Sequence, residues 1–291
     1  MKFELYAQKA QLPEAAIAVM RNNYEKIGAS PKFSALCKQI YDDVPFKEIQ
    51  VALEAFADTV SINRFELMLL LLMETCDKME KTFESLGFSE QIFLDTVKDV
   101  QYKTKECFDL DGVYGISPFS AWYQKIFVGE IIALGRLQYQ IKKSEYSKFT
   151  VDGIEIKAGD PIYSLHIPSS GPLLPDYVTE SFRLANAFFD ERVQGKLILT
   201  CSSWLLYPPY KEKVFASGSN LWRFADRFHI ISRQETEAFG NAWRVFATRD
   251  VSDLSALPAD TSLRRSFIRY MSEGGTHGAG LGAIALDENY F

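Results

Sequence analysis

Apolar residues recur at helical spacing through the first 128 residues, then switch to alternation and short apolar blocks. A period near 3.6 builds an amphipathic helix and a period of 2 builds a half-buried strand, so the chain must join an all-helical part to a mixed one. Pro13 opens a helix to about Ile27, with Ala16, Val19, Met20 and Tyr24 on one face. Ser30-Pro31 supplies a cap and a first-turn proline for the next helix. Pro45 starts another, carrying Ile49, Leu53, Phe56 and Val60. Asn63-Arg64-Phe65-Glu66 has capping-box form ahead of a long apolar helix ending near Gly87. Ser89 begins a last helix, stopped by the Asp111-Gly112 turn. Cys37, Cys76 and Cys107 fall inside these helices as small core residues.

Beyond Trp122 the pattern changes. Arg136–Lys142 alternates polar and apolar and predicts a strand, with Arg136 on its polar face. Phe149–Val151 and Ile154–Ile156 flank Asp152-Gly153 as a β-hairpin. Strands are also predicted at Pro161–Ile167, Lys196–Cys201, Phe228–Ser232, Trp243–Thr248 and Leu281–Leu286, and helices at Pro175–Arg192 and Thr261–Met271. The fold class is therefore α+β, with a helical domain over residues 1–128 and a mixed domain over 129–291.

A chain of 291 residues has room for two domains, and 47% apolar with 24% charged residues excludes disordered and low-complexity classes. Four cysteines without a Cys-x-x-Cys pair give neither a disulfide framework nor a thiolate zinc site, which points to a reducing, cytoplasmic setting. The N-terminus lacks an apolar signal-peptide segment, and the longest apolar stretch, Phe65–Met73, is too short to span a bilayer. A net charge of −6 argues against nucleic acid and anionic membranes as partners. That charge lies entirely in residues 1–130, with 14 basic and 20 acidic residues, whereas residues 131–291 hold 18 of each. Eleven of the 13 arginines lie in the second part, where guanidinium groups suit phosphate or carboxylate binding.

Several segments occur in a characteristic order: Leu165-His166-Ile167-Pro168, Ala187-Phe188-Phe189, Cys201-Ser202-Ser203-Trp204-Leu205-Leu206, and Ser219-Asn220-Leu221-Trp222-Arg223-Phe224 followed by Arg227-Phe228. Together they resemble a bacterial family of acyltransferase-domain proteins, in which a helical N-terminal domain precedes a GNAT-like (N-acetyltransferase-like) C-terminal domain. The resemblance implies an N-acyltransferase that takes its acyl group from acyl-CoA as co-substrate and delivers it to an amine of a small molecule or peptide. Enzymes of the GNAT type hold the coenzyme A pyrophosphate in an Arg/Gln-x-x-Gly-x-Gly/Ala loop. The nearest match here is His277-Gly278-Ala279-Gly280-Leu281-Gly282, which reads instead as a glycine-rich turn before the last strand, since no helix of useful length can follow it.

Acyl transfer to an amine needs a base, a donor for the oxyanion and a proton for the leaving thiolate. His166 ends a predicted strand and is the candidate base; otherwise its ring shapes the following loop. Cys201, before a capped turn, is a candidate nucleophile with a lowered pKa, or else a small core residue. Ser203 or Ser202 offers a hydroxyl for the oxyanion or thiolate, though either also serves as a cap. Arg136, Ser219, Asn220 and Arg223 are candidates for the anionic part of acyl-CoA, the last three at the start of a short helix with Arg227 one turn on. His229 sits in a strand as a structural residue, and no metal motif is present. Two rival readings share these residues: a non-catalytic module that binds a small anion or a partner protein, and a cysteine hydrolase using Cys201 and His166.

Overall fold

Helix starts and stops written into the first half of the sequence produce nine helices before the first strand, among the residues that the computed structural model describes, 1–117 and 120–291. They are α1 (Lys2–Lys9), α2 (Glu14–Ile27), α3 (Pro31–Tyr41), α4 (Phe46–Val60), α5 (Arg64–Glu74), α6 (Cys76–Ser85), α7 (Glu90–Val97), α8 (Asp99–Asp111) and α9 (Ser120–Phe127). Asn63 caps α5, its side chain accepting the Phe65 N–H at 2.8 Å. Leu67 and Leu69–Leu72 are fully buried, so α5 is apolar all round, as a helix enclosed by α1, α2 and α4 must be.

Two long predicted helices are each broken in two. The Thr75 hydroxyl donates to the Leu71 carbonyl at 2.8 Å, and the chain leaves helical geometry there, which separates α5 from α6. Thr96 donates to the Ile92 carbonyl at 2.7 Å just before α7 ends, and it also accepts the Ala133 N–H at 2.9 Å.

The second half contributes β1 (Ile131–Leu134), β2 (Leu137–Lys143), β3 (Lys148–Val151), β4 (Ile154–Lys157), β5 (Pro161–His166), α10 (Pro175–Phe188), β6 (Leu197–Ser203), α11 (Pro208–Lys213), α12 (Asn220–Asp226), β7 (His229–Thr236), α13 (Ala242–Phe246), α14 (Ser262–Ser272) and β8 (His277–Leu286). Six strands form one sheet in the order β1-β2-β5-β6-β8-β7, and β3-β4 is a separate hairpin. Within the sheet β5 and β6 are parallel, joined through α10, while β2–β5, β6–β8 and β8–β7 are antiparallel. The α+β class and the helical N-terminal region followed by a mixed domain are as the sequence predicts. The chain divides into two compact units: Met1–Ala133 with Pro168–Ser170, and Leu134–Ile167 with Gly171–Phe291.

α10 covers one sheet face. Its Ser181 hydroxyl donates to the Leu134 carbonyl and accepts the Leu137 N–H, and Phe189 stacks on Tyr163 at 4.0 Å. The opposite face is covered at one end by the hairpin, whose Phe149, Val151, Ile154 and Ile156 cluster with Ile162, Ile198, Ala283 and Ala285.

Two predicted elements differ. Trp243–Phe246 is helical, and Ala247 and Thr248 follow the helix end: Ala242, Val245 and Phe246 are the buried residues of α13, an i, i+3, i+4 spacing that a six-residue window conceals. The glycine-rich stretch 277–282 is neither a loop nor a turn but the first half of β8, hydrogen-bonded between β6 and β7.

Candidate active site

The site begins where two parallel strands part. β5 and β6 pair only at Tyr163–Leu199 and Ser164–Thr200. β5 continues to His166 on the arm of β2, and β6 continues to Ser203 on the arm of β8. The strands thus diverge at their carboxyl ends, which is where open α/β sheets receive ligands.

Alternation decides what each strand shows there. Tyr139, Tyr163, Leu165, Leu199 and Cys201 share the α10 face. Gln138, Gln140, Ser164, His166, Thr200 and Ser202 share the other, beyond the end covered by the hairpin. A uniformly polar patch on the face of a central sheet is unusual, because such faces are ordinarily filled by apolar residues. His166 is half-buried within it, and its Nε2 lies 3.3 Å from Gln140 Oε1. Gln138 and Gln140 are only 2% and 4% exposed, so their amides belong to the interior rather than to a solvated strand face.

His166, the last residue of β5, and Cys201, inside β6, lie on adjacent strands but point to opposite faces; Ser202 is the β6 residue on the His166 side. Cys201 is 1% exposed and lies inside β6 rather than at a helix start, and burial pushes its thiol up to about 12. That is the reverse of the lowered pKa that the nucleophile reading requires, and it fits the alternative of a small core residue, with desolvation as the cause. Iodoacetamide at pH 7 is therefore expected to leave Cys201 unmodified in the native protein over an hour. Rapid labelling of that peptide by mass spectrometry would contradict a buried, protonated thiol. Ser203 is occupied structurally, since its Oγ accepts the Leu205 N–H at 3.2 Å and caps the 3₁₀ turn Trp204–Leu206.

The loop after β5 runs from Ile167 to Leu174 and enters α10 at Pro175. Gly171 adopts φ of +107°, a conformation that side chains rarely take. Arg136 is in the turn before β2, not on a strand face, and donates to the Gly171 carbonyl at 2.6 Å and the Pro172 carbonyl at 3.3 Å. Its fork thereby fixes the loop's shape.

Ser219 caps α12, accepting the Trp222 N–H at 3.3 Å. Asn220 opens that helix, and the exposed Arg223 donates through Nε to the Gly218 carbonyl at 2.8 Å. Arg227 braces α12 on α10: it donates to Thr179 Oγ1 at 2.8 Å and to the Pro175 carbonyl at 3.3 Å. The candidate anion residues are thus carried on a helix packed against the first turns of α10. His229 is exposed and meets Asp152 of the hairpin turn at 2.7 Å.

Gln140, Ser164 and Thr200 join the polar patch without belonging to any motif. The sequence signal for them is the uncharged character of Gln138 and Gln140 against the lysines that follow at 142 and 143. Among the described residues no group of three or more His, Cys, Asp or Glu side chains is placed to hold a metal ion, and no helix is long and apolar enough to cross a membrane.

No curated protein matches the sequence. A solved acyltransferase in complex with decanoyl-CoA and teicoplanin is similar, with 20% identity, TM-score 0.71, and coverage of 97% of this chain and 86% of that one. An acyltransferase in complex with CoA and 10C-teicoplanin matches at 19% identity with the same TM-score and coverage. An acyltransferase in complex with decanoyl-CoA matches at 18% identity and TM-score 0.63, covering 99% of this chain and all of that one. At these identities the likeness establishes a shared fold. The N-acyltransferase N-terminal domain family matches residues 1–129, and the GNAT-like C-terminal domain family matches residues 131–284. With the second match spanning more than half of its length, the chain belongs to the family of proteins with a GNAT-like C-terminal domain.

Proposed function

We propose that this protein transfers an acyl group from acyl-CoA to a primary amine on a small molecule or peptide, by direct attack of the amine on the thioester. The observation that carries this reading is the parting of β5 and β6 past Ser164–Thr200, with His166 at the opened end on a polar face. Strand edges that have parted offer backbone N–H and C=O groups to an extended amide-bearing chain, which is what the pantetheine arm is. Family membership and the acyl-CoA complexes of the similar acyltransferases support the same donor.

In this mechanism the amine nitrogen attacks the thioester carbonyl carbon, and the π pair moves onto oxygen. His166 takes one N–H proton as the C–N bond forms. Backbone N–H groups on the parted edges meet the oxyanion. Collapse restores the carbonyl, breaks the C–S bond and releases coenzyme A thiolate, which takes its proton from the imidazolium directly or through Ser202. The products are an amide and free coenzyme A. Arg223, with Ser219 and Asn220, would meet the phosphates; among its described contacts Arg223 engages only Nε, so its terminal nitrogens are open to an anion. Arg136 would serve by holding the Gly171 loop. The buried Cys201 thiol disfavours an acyl-cysteine intermediate and the hydrolase reading alike.

Acetyl-, octanoyl- and decanoyl-CoA, each at about 1 mM, are expected to raise the melting temperature by several degrees. A ligand at 100 times its Kd stabilises by about 2.7 kcal/mol, roughly 2–4 °C per kcal/mol for a protein of this size. Absence of any shift with all three would overturn the acyltransferase reading in favour of a non-catalytic module.

A further inference from the structure

The helical unit contains a cavity of 530 Å³ that the acyl-transfer chemistry above does not use. It is bounded by α8, Pro13, Tyr114 and the Ser169-Ser170 segment. Phe108 and Tyr114 stack on its wall with ring centroids 4.3 Å apart and planes 17° from parallel. Phe108 is 40% exposed and lines the cavity, so its ring is open to a ligand. Thr104 is completely buried on the same wall, and its Oγ1 has no hydrogen-bond partner among the described residues. An unpaired buried hydroxyl is costly unless something fills it. The remaining lining is Pro13, a third aromatic residue, Tyr102, and polar groups from Gln101, Lys105, Asp109 and the two serines. An aliphatic acyl tail calls for branched aliphatic walls, which this cavity lacks; a flat ring with polar substituents matches an aromatic platform edged by amide, ammonium and hydroxyl groups.

Its connection to the chemistry is covalent. Ser169 follows His166 by three residues and its hydroxyl donates to Glu106 of α8.

We propose that this cavity binds the acceptor, and that the acceptor carries an aromatic ring on the molecule whose amine is acylated. The ring lies on the Phe108–Tyr114 stack, and the acceptor's polar groups meet Thr104 and the serines. This rests on the acyltransferase reading for its role and on the cavity alone for binding.

The test uses the full chain and four probes: tyramine, hexylamine without a ring, decanoyl-CoA and coenzyme A. By calorimetry or ligand-observed NMR, tyramine is expected to bind at least about fivefold more tightly than hexylamine, the ratio a single aromatic contact supplies. Phe108→Ala and Tyr114→Leu should each weaken tyramine about fivefold and leave decanoyl-CoA affinity within about twofold. Thr104→Val, nearly isosteric, gives a variant that keeps the packing and is expected to weaken tyramine while melting as the parent does. Equal binding of tyramine and hexylamine, or unchanged tyramine affinity in Phe108→Ala, overturns the proposal. So does weakened decanoyl-CoA binding with unchanged coenzyme A binding, which would assign the cavity to the acyl tail. If no acyl-CoA binds yet Phe108-dependent tyramine binding persists, the acyl-transfer reading has failed and the aromatic site has not.

Discussion

Replacement of His166 by alanine is expected to lower kcat/KM for amine acylation by about 10²–10⁴-fold, the range that one general acid–base group supplies. An alkylamine has an ordinary pKa near 10.4, so at pH 7 it arrives protonated and cannot attack. One proton must pass to solvent before the nitrogen lone pair can attack, and a second must leave as the C–N bond forms; an imidazole, the side chain whose ordinary range lies nearest neutrality, suits the second transfer. Among the three histidines only His166 stands at the opened end of β5 and β6; His229 is exposed beside the hairpin turn, and His277 is stacked on Phe239 at 5.0 Å with its Nδ1 bonded to Tyr210.

The loss should sit in kcat, since the imidazole moves protons during the reaction and does not hold the thioester carrier in the ground state. Decanoyl-CoA affinity is therefore expected to stay within about twofold, and a CoA-release assay against pH should lose its acid limb in the variant. Burial lowers the His277 pKa, so a residual acid limb traced to that residue would sit below the ordinary imidazole range. A fall of less than about threefold, with the acid limb intact, would remove His166 from the chemistry and leave it as a residue that orients the loop.

What the sequence conveys, and what it hides, follows from the range over which each feature acts. The helices of the first half are legible because apolar residues at 3.6-residue spacing and local caps such as Asn63 are both near-neighbour signals. Their breaks at Thr75 and near Thr96 are not, because a threonine hydroxyl folded back onto the carbonyl four residues before it looks like any other helical threonine in sequence. The Trp243–Thr248 run is too short for period alone to separate helix from strand. His166 is legible as a polar, titratable group at a strand end. Its companions are not, because Gln140, Ser164 and Thr200 come from three strands that meet only through register. The sequence also reads 277–282 as a turn before the last strand, because glycines ordinarily mark turns, whereas those residues are paired on both sides within β8.

That glycine run gives the second large effect: Gly280→Ala is expected to destabilise the protein by about 1–3 kcal/mol through overpacking. Gly280 pairs with Ser203 on one side and Arg233 on the other, so its backbone is fixed from both neighbours. A Cβ there would lie 2.1 Å from the Leu206 carbonyl oxygen and 2.7 Å from its carbon, both backbone atoms. Relief requires the Trp204–Leu206 turn to move. That turn is capped by Ser203, and Trp204 packs edge-on or tilted against Tyr210, Phe215, Phe239 and Phe267 at 5.9–6.3 Å, so the shift spreads through an aromatic cluster. At roughly 2–4 °C per kcal/mol the melting temperature should fall by several degrees. Gly240, which has open space around its Cβ and no positive φ, is the matched control, and Gly240→Ala should stay within about 0.5 kcal/mol. The glycines of β8 exist on this account to let a turn lie flat on the strand, not to cradle a phosphate. If Gly280→Ala instead melts like the parent and loses acyl-CoA affinity, the close approach of Leu206 is not what keeps that position free of a side chain, and the nucleotide-binding role passes back to the glycine run.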